Sequence, residues 1–237
     1  MSKVELQPCY ILHARPYRDT SSLLEIFSSE HGRQSLVARG VRSTKSKLHG
    51  VLQPFVPLLI SWSGRGELHT LTQAEQSDRA FHLKADNLMI GFYLNELVIQ
   101  FMHRGDPHSN VFTRYQQTLT ALDSECDAEP LLRLFERDLL EQTGYGLILD
   151  CDVESGEPVD TDKLYAYYPD RGPVEHGIAD ENLLQIQGRT LLALAGASIE
   201  DKTILPEAKR LMRYLISWHM GGKPLKTREL FKHHLSQ

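Results

Sequence analysis

From His31 to Gly66 the chain carries six cations, Arg33, Arg39, Arg42, Lys45, Lys47 and Arg65, and no Asp or Glu. The middle of the run, Ala38-Arg-Gly-Val-Arg-Ser-Thr-Lys-Ser-Lys-Leu-His-Gly50, sets a cation every two or three residues among Gly, Ser and Thr. Such a composition does not build a core. Its chemistry is non-covalent: guanidinium forks and ammonium point charges on a mobile loop can follow a line of phosphates. The same residues would also serve as a solvated basic loop without a ligand. The whole chain is acidic, with a formal net charge of -5, so 36 residues without a carboxylate favour a nucleic-acid surface. Contacts of this kind position a strand without reading its sequence, and they weaken steeply with salt.

A second cationic set lies toward the other end: Lys209, Arg210, Arg213, Lys223, Lys226 and Arg228. Lys209 and Arg213 are four residues apart and share one face of a helix. The alternative is a solvated helix end whose cations complement the helix dipole. Two separate basic surfaces on one molecule could hold two strands. Arg133 and Arg137 are again four apart, with Leu134 beside them. A cation next to a hydrophobic groove suits an acidic, apolar peptide tail. The alternative is pairing within the helix, Arg133 with Glu136 or Glu129 and Arg137 with Glu141.

Covalent catalysis finds no foothold. The eleven histidines are scattered, and no HExxH, GxSxG or phosphate-cradling GxxxxGKS/T occurs. Asp150, Asp152 and Glu154 could hold a divalent ion, as a nuclease would require, but loop carboxylates are more often plain surface. No catalytic residue, metal or cofactor is assigned, and the chain is expected not to be an enzyme. A different class remains open: an adaptor that binds only proteins, its basic loop docking an acidic partner.

The elements that must hold these residues change character near residue 80. Before it, Cys9 to His13, Ser22 to Phe27, Gln34 to Ala38, Phe55 to Trp62 and Glu67 to Leu71 are short, alternating and rich in β-branched or aromatic residues. Breakers separate them, and Ser63-Gly-Arg-Gly66 reads as a hairpin turn tipped by Arg65. Five short strands predict a small closed barrel, and the count favours an OB-fold over an SH3-like barrel. The basic run falls in or beside a loop of that barrel. Tyr17, Phe27 and Trp62 are candidates to stack on bases, though each fits the core better. Beyond Ala80 helical spacing takes over, at 88–102, 111–122, 129–140, 181–195 and 206–220. Pro130 and Pro206 mark helix starts, and Gly144 and Gly221-Gly222 mark ends. The domains expected are therefore 1–80, a DNA-binding barrel, and 81–237, a helical domain. Periodicity fails in an insertion at about 150–178, where Tyr165-Ala-Tyr-Tyr could be a short strand.

Bulk properties agree with an ordinary globular chain of 237 residues, 41% hydrophobic and 24% charged. No apolar stretch resembles a signal peptide or a membrane span, and three widely spaced cysteines argue against a disulfide framework, so a cytoplasmic, nucleoid-associated location is expected. Charge is partitioned. Residues 121–200 carry five Lys/Arg and eighteen Asp/Glu, whereas 201–237 carry eight and three. A polyanion would be drawn to the ends of the chain and repelled from the acidic centre.

The order of these motifs resembles the RecO family of bacterial recombination mediators along nearly the full length. The likeness rests on Ala38-Arg-Gly-Val-Arg42, Leu52-Gln-Pro-Phe-Val-Pro-Leu58, Gly64-Arg-Gly-Glu67 and Tyr93-Leu-Asn-Glu-Leu97. It rests further on Phe135-Glu with Gly144-Tyr-Gly146, on Gly156-Glu-Pro-Val-Asp160, and on Gly221-Gly-Lys-Pro-Leu-Lys-Thr-Arg-Glu-Leu-Phe231. The resemblance implies an N-terminal OB-fold and a helical C-terminal domain. It implies binding of single- and double-stranded DNA and annealing of complementary strands. It implies two partners, RecR and the acidic C-terminal tail of the single-stranded-DNA-binding protein, and a role in loading RecA onto coated strands. The sequence departs from the family at the insertion, where many relatives carry a four-cysteine zinc module. Here Cys151 and His176 supply two ligands where tetrahedral structural zinc needs four, so no zinc is expected.

Overall fold

The computed structural model describes residues 2–46, 48, 50–124, 126–175 and 183–229. The chain forms two units: residues up to Ser124 together with the segment from Leu225, and Glu125–Pro224.

The first unit begins with a closed five-stranded barrel of β1 (Ser2–Tyr17), β2 (Ser21–Ser28), β3 (Gly32–Ala38), β4 (Leu58–Gly64) and β5 (Leu68–Gln76), in the order β1-β2-β3-β5-β4. All pairings are antiparallel except β3 with β5, which run parallel with Ser35 opposite Leu68. Closure leaves no edge to aggregate. The alternation seen in the sequence is the reason: Cys9, Ile11, Leu24, Ile26, Leu36, Ala38, Leu58, Ile60 and Trp62 point inward and are buried. β1 is far longer than the sequence suggests, because it curls around the barrel to pair with both β2 and β4 and shifts register once along each. β4 starts three residues later than expected, since Phe55 takes a positive φ of 64° in the preceding loop.

Two helices complete this unit, α1 (Ala85–Phe101) and α2 (Ser109–Asp123). Their buried side chains meet the outer face of β1 and β2. Tyr10 lies 5.6 Å from Phe112 and 5.2 Å from Tyr115, and Phe27 lies edge-on to both at 5.2 and 5.8 Å. Buried Asn95 joins the layers, donating to the Leu12 carbonyl at 3.0 Å and accepting from the Tyr115 hydroxyl at 2.6 Å. Satisfying both ends of a buried amide in this way avoids a penalty of about 1–3 kcal/mol.

The second unit holds α3 (Glu129–Gln142), a three-stranded antiparallel sheet of β6 (Leu164–Tyr168), β7 (Gly172–Glu175) and β8 (Leu184–Gln187), then α4 (Gly188–Ala195) and α5 (Leu205–His219). The helix expected at 181–195 thus opens as a strand, residues 181 and 182 lying outside the described residues. Leu184-Gln-Ile-Gln187 alternates with period two and pairs with β6, and the helix starts only at Gly188. The insertion at about 150–178 contains β6, where Tyr165-Ala-Tyr-Tyr was expected as a short strand, and β7, with Tyr165 and Tyr167 fully buried. Its loop is organised by Asp152, 5% exposed, whose carboxylate accepts from the backbone amides of Glu154, Ser155 and Glu175 at 2.8, 2.9 and 2.6 Å.

Candidate nucleic-acid interface

Among its described residues, the basic run after β3 forms tight turns packed against the barrel. Ser43 N–H donates to Gly40 O and Ser46 N–H to Ser43 O, at 3.2 and 2.9 Å. Val41 and Leu52 are buried in the barrel core, with Leu48 and Val51 packed against it. Val41 between Arg39 and Arg42, and the apolar residues after the run, anchor the segment to the barrel. Arg39, Arg42 and Lys45 are exposed, while Lys47 lies outside the described residues.

The β1–β2 turn meets this loop. Arg42 N–H donates to Thr20 O at 2.9 Å, and its guanidinium Nη1 to Arg18 O at 3.1 Å. Arg15 and Arg18, both exposed, therefore join Arg39, Arg42 and Lys45 at one end of the barrel. Sequence reasoning missed these two. The signal was in the topology, since a five-stranded barrel with β2 paired antiparallel to β3 sets the β1–β2 turn beside the end of β3. Ser22 is opposite both Pro16 and Ala38. Half-buried Leu23 and Val37 face each other across the strands there, beside Arg15.

Arg65 is exposed in the β4–β5 turn, but that turn flanks the start of β3 while Arg39 follows its end. At about 3.3 Å per residue this separates the two by roughly the length of the strand. OB-folds take up oligonucleotides on the strand 2–3 face between their β1–β2 and β4–β5 loops. In this chain part of that face is closed: Phe27 is under α2, and Ser35 is 3% exposed and donates to Glu25 at 2.6 Å. Of the stacking candidates, Phe27 and Trp62 are buried. Tyr17 is half-buried with the Arg18 guanidinium carbon 5.3 Å from its ring.

Arg33 does not belong to the exposed set. It is half-buried, donates from Nη1 to the Ile99 carbonyl, and accepts Gly105 N–H at its own carbonyl at 2.9 Å. Burial pulls its guanidinium below the usual pKa, Glu25 opposing and Arg104 assisting the drop. It ties β3 to α1, a structural task.

The second basic set is divided between the units. Lys209, Arg210, Arg213 and Lys223 lie in the second unit, Lys226 and Arg228 in the first. Lys209 pairs with Glu129 at 3.1 Å. Arg210 donates to the Gln185 carbonyl at 2.6 Å and sits 3.5 Å from Glu207. Arg213, Lys223 and Lys226 are exposed, and Arg228 is half-buried. The segment carrying Lys226 is held by Glu96 of α1, whose carboxylate accepts from Lys226 N–H at 2.8 Å and from Thr227 N–H and Oγ1 at 2.9 and 2.6 Å. It caps the helical turn at 226–229 with a negative charge at its N-terminus.

The three residues expected to receive a peptide tail are engaged inside the second unit. Arg133, 2% exposed, pairs with buried Glu136 at 3.0 Å, and Leu134 is 1% exposed. Arg137 binds Asp138 and donates to the Leu194 and Gly196 carbonyls, capping the end of α4. The pairing of Arg133 with Glu136 was one of the two alternatives in the sequence. Arg137 pairs with Asp138 where Glu141 was expected, and its two carbonyl partners, more than fifty residues away, were not visible there.

Nor do the loop carboxylates form a metal site. Asp152 is turned into its own loop, and among the described residues no group of three or more His, Cys, Asp or Glu could hold a metal ion. His176 lies outside the described residues. No helix among the described residues is long and apolar enough to cross a membrane.

Comparison with known proteins agrees with this architecture. The family model for the N-terminal part of recombination protein O matches residues 1–79, and that for its C-terminal part matches residues 82–229. Proteins named DNA repair protein RecO are similar along almost the whole chain. That of Nitrosococcus oceani is 44% identical over 230 residues, covering 97% of this chain and 94% of its own. That of Methylococcus capsulatus is 45% identical over 231 residues, covering 98% and 94%. That of Halorhodospira halophila is 43% identical over 235 residues, covering 98% of both. With a closed five-stranded barrel followed by helices and both family models matched in order, the chain belongs to the RecO family of DNA repair and recombination proteins.

Proposed function

We propose that this chain is a DNA-binding recombination mediator without catalytic turnover. It binds single- and double-stranded DNA through sugar-phosphate contacts, anneals complementary strands, and with RecR helps load RecA onto strands coated by the single-stranded-DNA-binding protein. The observation that carries the reading is the barrel end at which Arg39, Arg42 and Lys45 stand exposed beside the β1–β2 turn with its Arg15 and Arg18. Exposed cations two or three residues apart can meet successive phosphates. The acidic tail of the single-stranded-DNA-binding protein remains the expected peptide partner, with no contact assigned to Arg133, Leu134 or Arg137.

Fluorescence anisotropy of a labelled oligonucleotide, titrated with the purified protein at low and moderate salt, tests this. Binding that falls steeply with salt is expected. No binding at low salt would refute it and leave the protein-only adaptor.

A further inference from the structure

We propose that the cavity at the C-terminal end of α5 is a stacking site for an unpaired nucleobase, with Trp218 as its platform. The cavity has a volume of about 480 Å³ and is lined by Tyr214, Ser217, Trp218, Gly221 and Gly222. The proposal rests on the DNA-binding reading above but concerns a different surface.

The helix builds the site from its own period. Leu205, Ala208, Leu211, Met212, Leu215 and Ile216 form its buried face. The opposite face presents Arg210, Arg213, Tyr214, Ser217 and Trp218 at spacings of three and four. Past His219 the chain folds back, with Gly221 N–H donating to Trp218 O at 2.8 Å and Gly222 N–H to Ser217 O at 2.9 Å. Both glycines have positive φ, 62° and 75°, and a Cβ on either would meet no atom within 4 Å. They wall the cavity with bare backbone, so a flat ring can approach closely. Tyr145 packs on His219 with ring centroids 4.3 Å apart.

Trp218 is 55% exposed, whereas the chain's other tryptophan, Trp62, is 2% exposed. An indole is a large apolar surface to leave in water, and it stacks on any base whatever its sequence. The charge around it fits a polyanion. Arg213 precedes it by little more than a turn and Lys223 follows five residues on, both exposed. Asp170 opposes them: its charge, after burial, raises the Tyr214 hydroxyl above its usual pKa. An exposed indole with a cation five residues to either side in the sequence suits a base whose flanking phosphates reach the cations. A purely apolar protein partner would leave both charges without a counterpart.

The test uses the full chain carrying Trp62→Phe, in which Trp218 is the sole indole emitter. It is titrated with a thymidine oligonucleotide and, separately, with a strand of the same length lacking bases, while anisotropy of a labelled strand follows binding. The expected result is quenching by the base-bearing strand that tracks the anisotropy, with none from the abasic strand. Trp218→Ala should weaken binding of the oligonucleotide about five- to hundredfold, and Trp218→Phe should restore most of the loss. Anisotropy that rises with no change in emission would refute the site while leaving DNA binding intact. Equal quenching by the abasic strand would refute stacking. Absence of both signals would overturn both readings. Should Trp62→Phe disturb the barrel, the Trp218→Phe chain serves in its place. Its emission, from Trp62 alone, should not respond to the oligonucleotide that quenches the native chain, and a response would count against the site.

Discussion

Replacing Arg39, Arg42 and Lys45 together with alanine removes three exposed cations from one barrel end and leaves the packed Val41 and Leu52 in place. If each cation neutralises one phosphate, the slope of log affinity against log salt concentration for single strands should shrink by about 0.7 per contact, or roughly 2 in total. Between 50 and 200 mM salt the triple variant should then lose about fifteenfold less affinity than the native chain. Arg42 spends Nη1 on the Arg18 carbonyl, but a guanidinium has five N–H donors, so the others remain for phosphate. Arg33→Ala is the internal contrast. It deletes a donor to the Ile99 carbonyl within the folded unit, so it should cost about 1–3 kcal/mol of stability and leave the salt slope unaltered. Anisotropy titrations at four salt concentrations, with denaturant melts of each variant, read both quantities. A native slope in the triple variant, or a reduced slope with full stability in Arg33→Ala, would refute this division of labour.

Two further outcomes follow from buried and capping carboxylates. Burial alone would push the Asp152 carboxyl up, but the amides of Ser155, Glu175 and Glu154 overrule it and hold it below the usual carboxylate range. A depressed group stabilises the fold above its unfolded value, near 3.9, and loses that contribution as pH falls through the folded one. Asp152→Asn should therefore cost about 2 kcal/mol at neutral pH, and the gap from the native chain in denaturant melts should close on acidification. A gap that persists unchanged at low pH would count against the amide cage. Glu96→Ala removes the acceptor for three donors at residues 226 and 227, so amide hydrogen exchange over 225–229 should quicken at a cost of about 1–2 kcal/mol. Exchange at the native rate would mean that Leu225, buried at 2% exposure, anchors the segment alone.

What the sequence disclosed follows the range of each interaction. The barrel strands were legible because inward residues alternate strictly, as in Leu24, Ile26 and Leu36, Ala38. The exposed cations were legible as a carboxylate-free run. Arg33 was misplaced within that run because its partner, the Ile99 carbonyl, lies 66 residues away and leaves no local trace. Arg15 and Arg18 were missed for the converse reason: they sit outside the run and join it only through strand pairing. Of the small sheet, β6 was legible at Tyr165-Ala-Tyr-Tyr, but β8, four residues long, was hidden because it runs directly into α4, so a helical period seemed to start early.

The contact between Glu96 and Thr227 spans 131 residues, and everything from Glu125 to Pro224 is threaded between its two halves. Synthesis delivers the barrel and α1 first, so that carboxylate stays hydrated until the amides of 226 and 227 emerge. Closing so long a loop is entropically slow as well as late. The leading body is therefore finished only after the intervening one has been made, and maturation of the two is coupled by connectivity alone.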